Sequence, residues 1–281
     1  MGRVPARRLR AAMQATQLPT RDVARTPSEP GAIAWMPAPG WLAEGERVYA
    51  VGDIHGCADQ LAALHRMIEE DAGRRPTGSP LLVHLGDYIN GGPDSAAVLD
   101  RIAQPPPPPL RAVNLAGDNE QMLLDALAGD RAAATDWLEA GGASALRSWR
   151  IDPATPREQW GGLIPPAHLA LLRSLVLSHR AGEYLFVHAG LRPGVPVAQQ
   201  TRDDMQRIRQ PFLSTEQDLG PIVVHGHSSS VGPVIARNRV GIDTGAGIGG
   251  PLTCAVLEQD RVGFLSAWPG ASMPAAGRGK P

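Results

Sequence analysis

Between residues 46 and 266, short apolar runs alternate with longer stretches of helical periodicity. The run "RVYAVGD" is followed by "ADQLAALHRMIEE", and "PLLVHLGDY" is followed by "PDSAAVLDRIA". This alternation predicts strands laid beside one another with helices packed on their faces, an α/β or α+β architecture. Residues from about 120 to 180 have mainly helical patterns, which predict a helical insert. Further strands are predicted by the runs "EYLFVHAG", "PIVVHGHS", "RVGIDTGA" and "LTCAVLEQDRVGFL".

The two ends of the chain have a different composition from its middle. Residues 1–45 are rich in Arg, Ala, Pro and Gly and contain helix- and strand-breaking stretches such as "SEPGAIAWMPAPGW". The end of the chain, "WPGASMPAAGRGKP", is similar. We therefore predict flexible tails over residues 1–45 and 267–281 and one domain over residues 46–266.

Charge, cysteine content and hydropathy exclude several classes of protein. The formal net charge of −1 gives no overall attraction to nucleic acid or to a membrane surface. Two cysteines, Cys57 and Cys254, are too few for a disulfide framework or a thiolate metal site. No apolar run approaches the roughly 18 residues of a membrane span, and the N-terminus lacks the apolar stretch of a secretory signal. We expect a cytoplasmic protein with no membrane partner and no clear nucleic-acid binding.

Carboxylate and imidazole side chains follow the predicted strands where each apolar run stops. In α/β sheets such positions gather at one edge, outside the carboxyl ends of the strands. Carboxylates and imidazoles are ligands for divalent metals, and the set is larger than one ion can use, so it predicts two ions bridged by Asp87. A single histidine after an apolar run, such as His84, is predicted to be structural. The groups at the strand ends are Asp53 with His55, Asp87, Asp118 with Asn119, His188, and His225 with His227.

The motifs "GDIHG", "GDYINGG", "AGDNE", "VHAG" and "HGH" occur in this order. A chain with these motifs in this order resembles the calcineurin-like metallophosphoesterases. The resemblance is to the bacterial branch of the phosphoprotein phosphatase group, which is related to serine/threonine phosphatases and to diadenosine tetraphosphatase. The resemblance covers roughly residues 46–266. It implies a β-sandwich flanked by helices and two divalent ions, manganese first and iron or zinc as alternatives, that activate a bridging hydroxide.

The resemblance also implies roles for individual residues. Asp53 and His55 would bind the first ion, and Asp87 would bridge the two. The second ion would be bound by Asp118, His188 and His227, with His225 just outside its ligand shell. Arg209, in "RIRQPFL", matches an arginine that holds phosphate in the family, a role that suits the bidentate fork of a guanidinium.

Four positions depart from the family pattern. The family has Gly-Asp-x-x-Asp-Arg-Gly where this chain has "GDYINGG", and Gly-Asn-His-Glu where it has "GDNE". A ligand asparagine is thus Asp118, which can still coordinate. The general-acid histidine is Asn119, its partner aspartate is Asn90, and a phosphate-binding arginine is Gly91. An amide cannot donate a proton at neutral pH, so turnover is expected to be reduced, by about 10²- to 10⁴-fold for a lost general acid.

Three hypotheses follow from these departures. The chain is a serine/threonine phosphatase-like hydrolase that acts on a phosphorylated protein or a small phosphoester, with reduced turnover. Alternatively, it is an impaired relative that recognises phosphate and acts by binding, or a nucleotide hydrolase of the diadenosine tetraphosphatase kind. If another group replaces the lost acid, His225 is the nearest candidate in sequence, ahead of Asp118. A shift of one residue that would place Asn119 on the metal is a further alternative.

Overall fold

A computed structural model describes residues 33–270 of the chain. In this part, two β-sheets pack against each other, and helices cover their outer faces. Strands are numbered in chain order. Across the first sheet, the order is β1 (Met36–Pro37), β11 (Arg261–Ala267), β10 (Leu252–Glu258), β2 (Glu46–Val51), β3 (Ser79–His84) and β4 (Arg111–Asn114).

The second sheet comes from the C-terminal half of the chain. Its strand order is β5 (Ser178–Ala181), β6 (Tyr184–Val187), β7 (Ile222–His225), β9 (Arg239–Gly241) and β8 (Val234–Ile235). Strands β2, β3 and β4 are parallel to one another in the first sheet, and β6, β7 and β9 are parallel in the second. Each sheet therefore has one edge at which the carboxyl ends of three strands meet.

Eight α-helices occur among the described residues. Helix α1 connects β2 to β3 and α2 connects β3 to β4, because two neighbouring parallel strands need a crossover connection. Helices α3 to α7 lie between β4 and β5, where the sequence predicted a helical insert. The helices are α1 (Ala58–Arg74), α2 (Ser95–Ile102), α3 (Asp118–Leu127), α4 (Arg131–Trp137), α5 (Ala143–Ser148), α6 (Arg157–Leu163), α7 (Pro166–Ser174) and α8 (Arg202–Arg207).

The strand β2 shows how the sequence divides the core into layers. Because side chains alternate along a strand, neighbouring apolar residues face opposite sides of the sheet. Val48 and Ala50 belong to the buried cluster between the sheets, which includes Phe186 of the second sheet. Tyr49 and Val51 belong to the cluster formed with the helices. A strand that is apolar on both faces is thus explained by burial on both sides, and the predicted sandwich flanked by helices is confirmed.

Residues 33–45, which the sequence analysis assigned to the flexible tail, are part of the fold. Strand β1 pairs with β11 through Met36 and Val262. The indole of Trp35 lies 4.9 and 4.5 Å from the guanidinium carbons of Arg75 and Arg261, and Leu42 is fully buried. Composition could not reveal these contacts because the partners are distant in sequence. Residues 1–32 and 271–281 of the predicted tails lie outside the described residues.

Among residues 33–270, no helix combines the length and apolar character required to cross a membrane.

Neighbouring residues of this N-terminal segment provide a direct test of its packing. Leu42→Ala should lower the free energy of unfolding by about 2–5 kcal/mol, because it removes a fully buried side chain. Trp41→Ala, at a side chain that is 50% exposed, is the matched control and should change it much less. Chemical denaturation monitors both. Equal, negligible effects would show that residues 33–45 do not pack against the domain.

Candidate metal centre

The residues predicted as metal ligands follow the carboxyl ends of parallel strands. Asp53 comes after β2, Asp87 after β3 and Asp118 after β4, while His188 follows β6 and His227 follows β7. Because the two sheets pack face to face, these ends lie together at one edge of the sandwich. The structure thus brings together all six predicted ligands.

The six side chains form two clusters that share Asp87. One cluster contains Asp53, His55 and Asp87, and the other contains Asp87, Asp118, His188 and His227. Within each cluster, the possible ligand atoms lie within 4.8 Å of one another. Two neighbouring ions with one shared carboxylate fit this arrangement.

The two carboxylate oxygens of Asp87 face different clusters. Its Oδ2 lies 3.6 Å from His55 Nε2, and its Oδ1 lies 3.5 Å from His188 Nε2. Asp118 Oδ1 completes the second cluster at 3.4 Å from His188 Nε2 and 3.5 Å from His227 Nδ1. A single carboxylate can therefore reach both positions.

His188 shows that this donor set suits a metal ion. Its Nδ1 donates a hydrogen bond to the carbonyl oxygen of Leu85 (2.9 Å), which fixes the orientation of the ring. Its Nε2 is buried and has no hydrogen-bond partner among the described residues. A buried nitrogen that points at carboxylates and has no partner is costly unless a cation occupies the space, and the Nδ1 hydrogen bond is typical of metal-ligating histidines.

Two glycines allow the carboxylates to approach the backbone closely. A Cβ atom at Gly226 would lie 1.9 Å from Asp53 Oδ1, and one at Gly117 would lie 2.1 Å from Asp87 Oδ1. The absence of side chains allows Asp53 to accept the His227 backbone N–H at 2.9 and 3.1 Å. Any larger residue at either position would displace a predicted ligand.

Several site residues adopt left-handed backbone conformations that are uncommon for residues other than glycine. The φ angles are +48° at His55, +52° at Asp87, +72° at Asn90 and +60° at His227. Such conformations persist where surrounding contacts compensate for their cost, and they concentrate at functional sites. The local backbone is thus shaped to aim these side chains.

Glu120 makes hydrogen bonds that offset the cost of the left-handed backbone conformation at Asp87. Its buried carboxylate accepts the backbone N–H groups of Asp87 and Gly117 at Oε2 (2.9 and 3.0 Å) and those of Tyr88 and Ile89 at Oε1 (2.9 and 3.2 Å). No role was predicted for this glutamate, the last residue of "GDNE". The four backbone N–H groups that donate to Glu120 come together only when the loop has folded.

Carboxylates and imidazoles in the centre alter one another's proton affinity. Burial lowers the pKa of His188, but attraction to Asp87 and Asp53 outweighs this effect and raises it well above its ordinary value. Burial and repulsion by Asp243 raise the pKa of Asp53. Burial also acts to raise the pKa of Asp118, but interaction with His188 and His227 lowers it. This concentration of negative charge attracts cations.

Asn119 and Asn90 form a chain of hydrogen bonds that ends on Asp87. Asn119 Nδ2 donates to Asp87 Oδ2 (2.6 Å), and Asn90 Nδ2 donates to Asn119 Oδ1 (2.6 Å). Because a carboxylate can only accept here, the orientation of both amides is determined. The Asn119 side chain is thus a donor to a predicted ligand and an acceptor from Asn90, while Asp118 is a member of the second cluster. These contacts argue against the one-residue shift.

His225, predicted as a substitute acid, is a buried side chain beside Phe212. It is not a member of either cluster. Its Nδ1 donates to the carbonyl oxygen of Gly226 (3.0 Å), and its ring packs edge to face on Phe212 with centroids 5.0 Å apart. Burial lowers its pKa to about 4, so it is neutral at pH 7. The packing and the low pKa argue against His225 as a substitute acid, a role that stays a prediction.

Arg209 lies beside the second cluster. Its Nη2 is 3.4 Å from the carbonyl oxygen of His227, to which it donates, and the side chain is exposed. Its predicted phosphate-binding role stays a prediction, and its contact with the backbone of His227 places it next to one of the predicted ligands.

Asp243 is a site residue that the sequence analysis did not identify. It is buried next to Asp53 and follows β9. Its Oδ2 accepts a hydrogen bond from Ser229 Oγ (2.5 Å), and its Oδ1 accepts one from the N–H of Gly245 (3.0 Å). The signal was present in "RVGIDTGA", since this aspartate also follows a predicted strand.

Glu120→Gln should destabilise the loop that carries Asp87. The substitution places an amide NH₂ against two of the four backbone N–H donors, which should lower the free energy of unfolding by about 2–3 kcal/mol. Glu158→Gln, at an exposed carboxylate whose side-chain partner is Arg157, is the control. Denaturation curves for the two variants should differ clearly. Similar curves would contradict the role assigned to Glu120.

Comparisons with known proteins agree with this geometry. The sequence profile of the calcineurin-like phosphoesterase family matches residues 46–248. A symmetrical bis(5'-nucleosyl)-tetraphosphatase from Methylococcus capsulatus is 28% identical over 150 residues, 52% of this chain and 44% of that protein. Serine/threonine-protein phosphatase 1 from Salmonella typhimurium is 38% identical over 95 residues, 34% of this chain and 38% of that protein. The chain thus spans less than half the length of these two relatives.

A solved structure matches over a longer range. The crystal structure of a candidate diadenosine tetraphosphatase aligns with a TM-score of 0.56 and 26% sequence identity, and the alignment covers 80% of this chain and 95% of the other. Family profile, relatives and fold point in the same direction as the paired clusters of carboxylates and imidazoles. The chain belongs to the calcineurin-like phosphoesterase family.

Proposed function

We propose that the protein is a two-metal hydrolase that favours phosphoanhydrides and other substrates whose leaving groups need little protonation. The observation that carries this proposal is the pair of amides, Asn119 and Asn90, beside the metal centre. An alkoxide leaving group, such as that of serine, requires a proton, and neither amide can supply one. A phosphate leaving group is stable as an anion.

The residues that would hold the two ions are those of the two clusters. Asp53 and His55 would bind one ion. The other ion would be bound by Asp118, His188 and His227, and Asp87 would bind both ions. Two divalent ions at this position supply Lewis acidity at phosphorus and an activated water. Manganese is the ion to test first, with iron and zinc as alternatives, since carboxylate and imidazole ligands suit all three.

The chain's own residues would position the substrate around these ions. Arg209, exposed beside His227, would hold a phosphoryl oxygen through its two-pronged guanidinium. Asn119 Nδ2 uses one hydrogen for Asp87 and keeps a second that can donate to an oxygen of the substrate. Such a contact orients a group without transferring a proton.

Two other functions are each supported by one observation. The similarity to the Salmonella typhimurium phosphatase favours a phosphorylated protein as substrate, with turnover reduced by the amide pair. An impaired relative that binds phosphorylated partners is supported by the complete set of ligands beside the missing acid. Turnover separates this binding role from hydrolysis, whereas metal content does not.

Asp87→Asn should reduce bound metal and activity together. The shared carboxylate has an oxygen directed at each cluster, and an amide offers one neutral oxygen in its place. His84→Gln is the control, because His84 bonds to His65 and Asn114 outside the clusters. Metal analysis after dialysis measures the outcome. An Asp87→Asn protein that retains two ions would contradict the bridging assignment.

Substrate preference tests the proposed function directly. We expect the manganese-loaded protein to hydrolyse a dinucleoside tetraphosphate or an aryl phosphate far better than a phosphoserine peptide. The double variant Asn90→Asp with Asn119→His should raise the rate on the phosphoserine peptide by about 10²- to 10⁴-fold, because it restores an imidazole acid and its carboxylate partner. The increase in the rate of tetraphosphate hydrolysis should be much smaller.

The single variant Asn119→His serves as the matched control for this pair. Its imidazole would face the amide of Asn90, which stabilises an imidazolium less well than a carboxylate, so a smaller gain is expected. Rapid hydrolysis of the phosphoserine peptide by the starting protein would contradict the proposed preference. A complete lack of turnover on all three substrates would favour the binding role.

A further inference from the structure

A small cavity borders the segment from Ala116 to Gln121, which includes Asp118. Its volume is about 100 Å³, and it lies against helices α3 and α7 and residue Arg202 of α8. Its apolar lining is formed by leucine side chains: Leu124, Leu172, Leu175 and Leu177.

Helix α3 connects the cavity to a residue of the second cluster. Gln121, which lines it, is three residues after Asp118 on α3, so the two side chains share a helix face with Cβ atoms about 5–6 Å apart. Gln206 of α8 donates to the carbonyl oxygens of Ala116 and Gly117, both at 3.1 Å. Helix α8 is therefore attached to the same loop that leads to Asp118.

Two arginines at the cavity lack a negatively charged partner. Arg173 has no hydrogen bond or ion pair with any described residue, and Arg202 donates to Gln121 Oε1, a neutral amide oxygen. Glu120 also lines the cavity, but both of its oxygens accept backbone N–H groups. Both arginine side chains are exposed and accessible to a ligand.

We propose that this cavity binds a further phosphate group of the substrate, beyond the phosphorus that is attacked at the metal centre. Guanidinium groups match phosphate through paired N–H donors, and two of them beside one cavity provide the charge that a polyphosphate chain requires. Arg173 and Arg202 would then select phosphoanhydride chains over simple monoesters. This inference rests on the proposed function and names the part of the chain that recognises its substrate.

The test compares Arg173→Gln, Arg202→Gln and the double variant with Arg131→Gln, an exposed arginine on α4 that does not line the cavity. For a dinucleoside tetraphosphate, kcat/KM should fall about tenfold in each single variant and further in the double variant, mainly through KM. The loss should be much smaller for an aryl phosphate, which has one phosphate. The control should match the starting protein, and added salt should reduce the differences because it screens exposed charges.

Binding provides a readout that does not depend on turnover. Calorimetry should show that the metal-loaded protein binds inorganic tripolyphosphate about tenfold or more tightly than orthophosphate, and that the double variant loses this preference. A protein without turnover that keeps the preference would contradict the proposed function but support the cavity assignment.

Two results would overturn the assignment. One is an equal effect of the arginine substitutions on the tetraphosphate and the aryl phosphate, with no loss of tripolyphosphate preference. The other is a preference of the same arginines for phosphoserine peptides with acidic neighbours over those with alanine, without any effect on polyphosphate. That second result would assign the cavity to carboxylates of a protein substrate.

Discussion

The position of the Asp87 carboxylate is the constraint on which the rest of the site depends. Its two oxygens face two separate groups of ligands, and both also accept hydrogen bonds from Asn119. The backbone at Asp87 has a left-handed conformation that is unfavourable for an aspartate. Glu120 compensates for this cost by accepting the N–H groups of the same loop.

The sandwich brings ligands from both halves of the chain to this carboxylate. Parallel strands of the first sheet provide the aspartates, and parallel strands of the second provide His188 and His227. The apolar contacts between the sheets, such as those of Val48 and Phe186, determine how close the two edges come. Packing of the core therefore also determines the ligand geometry, since a shift of one sheet relative to the other would move the aspartates away from His188 and His227.

The amide pair changes the chemistry of the centre while leaving its architecture in place. Asn90 and Asn119 keep a continuous chain of hydrogen bonds, but the donors run toward Asp87 and end on a carboxylate. Such a chain orients a ligand and cannot deliver a proton. In the proposed function, this chain and the two arginines at the cavity would both suit substrates that are rich in negative charge and whose leaving groups need no proton.

The sequence by itself determined the architecture and the six candidate ligands, because each of these signals is local. Strand and helix periodicity extends over a few residues, and the six ligands follow five apolar runs, with Asp53 and His55 after the same one. Tertiary structure decided the roles of residues whose partners are far away in the chain. His225 and His227 are two residues apart, yet one ring packs on Phe212 and is not a member of either cluster, while the other reaches Asp118. The burial of Leu42, the four donors to Glu120 and the place of Asp243 beside Asp53 likewise depend on contacts that exist once the two sheets have packed.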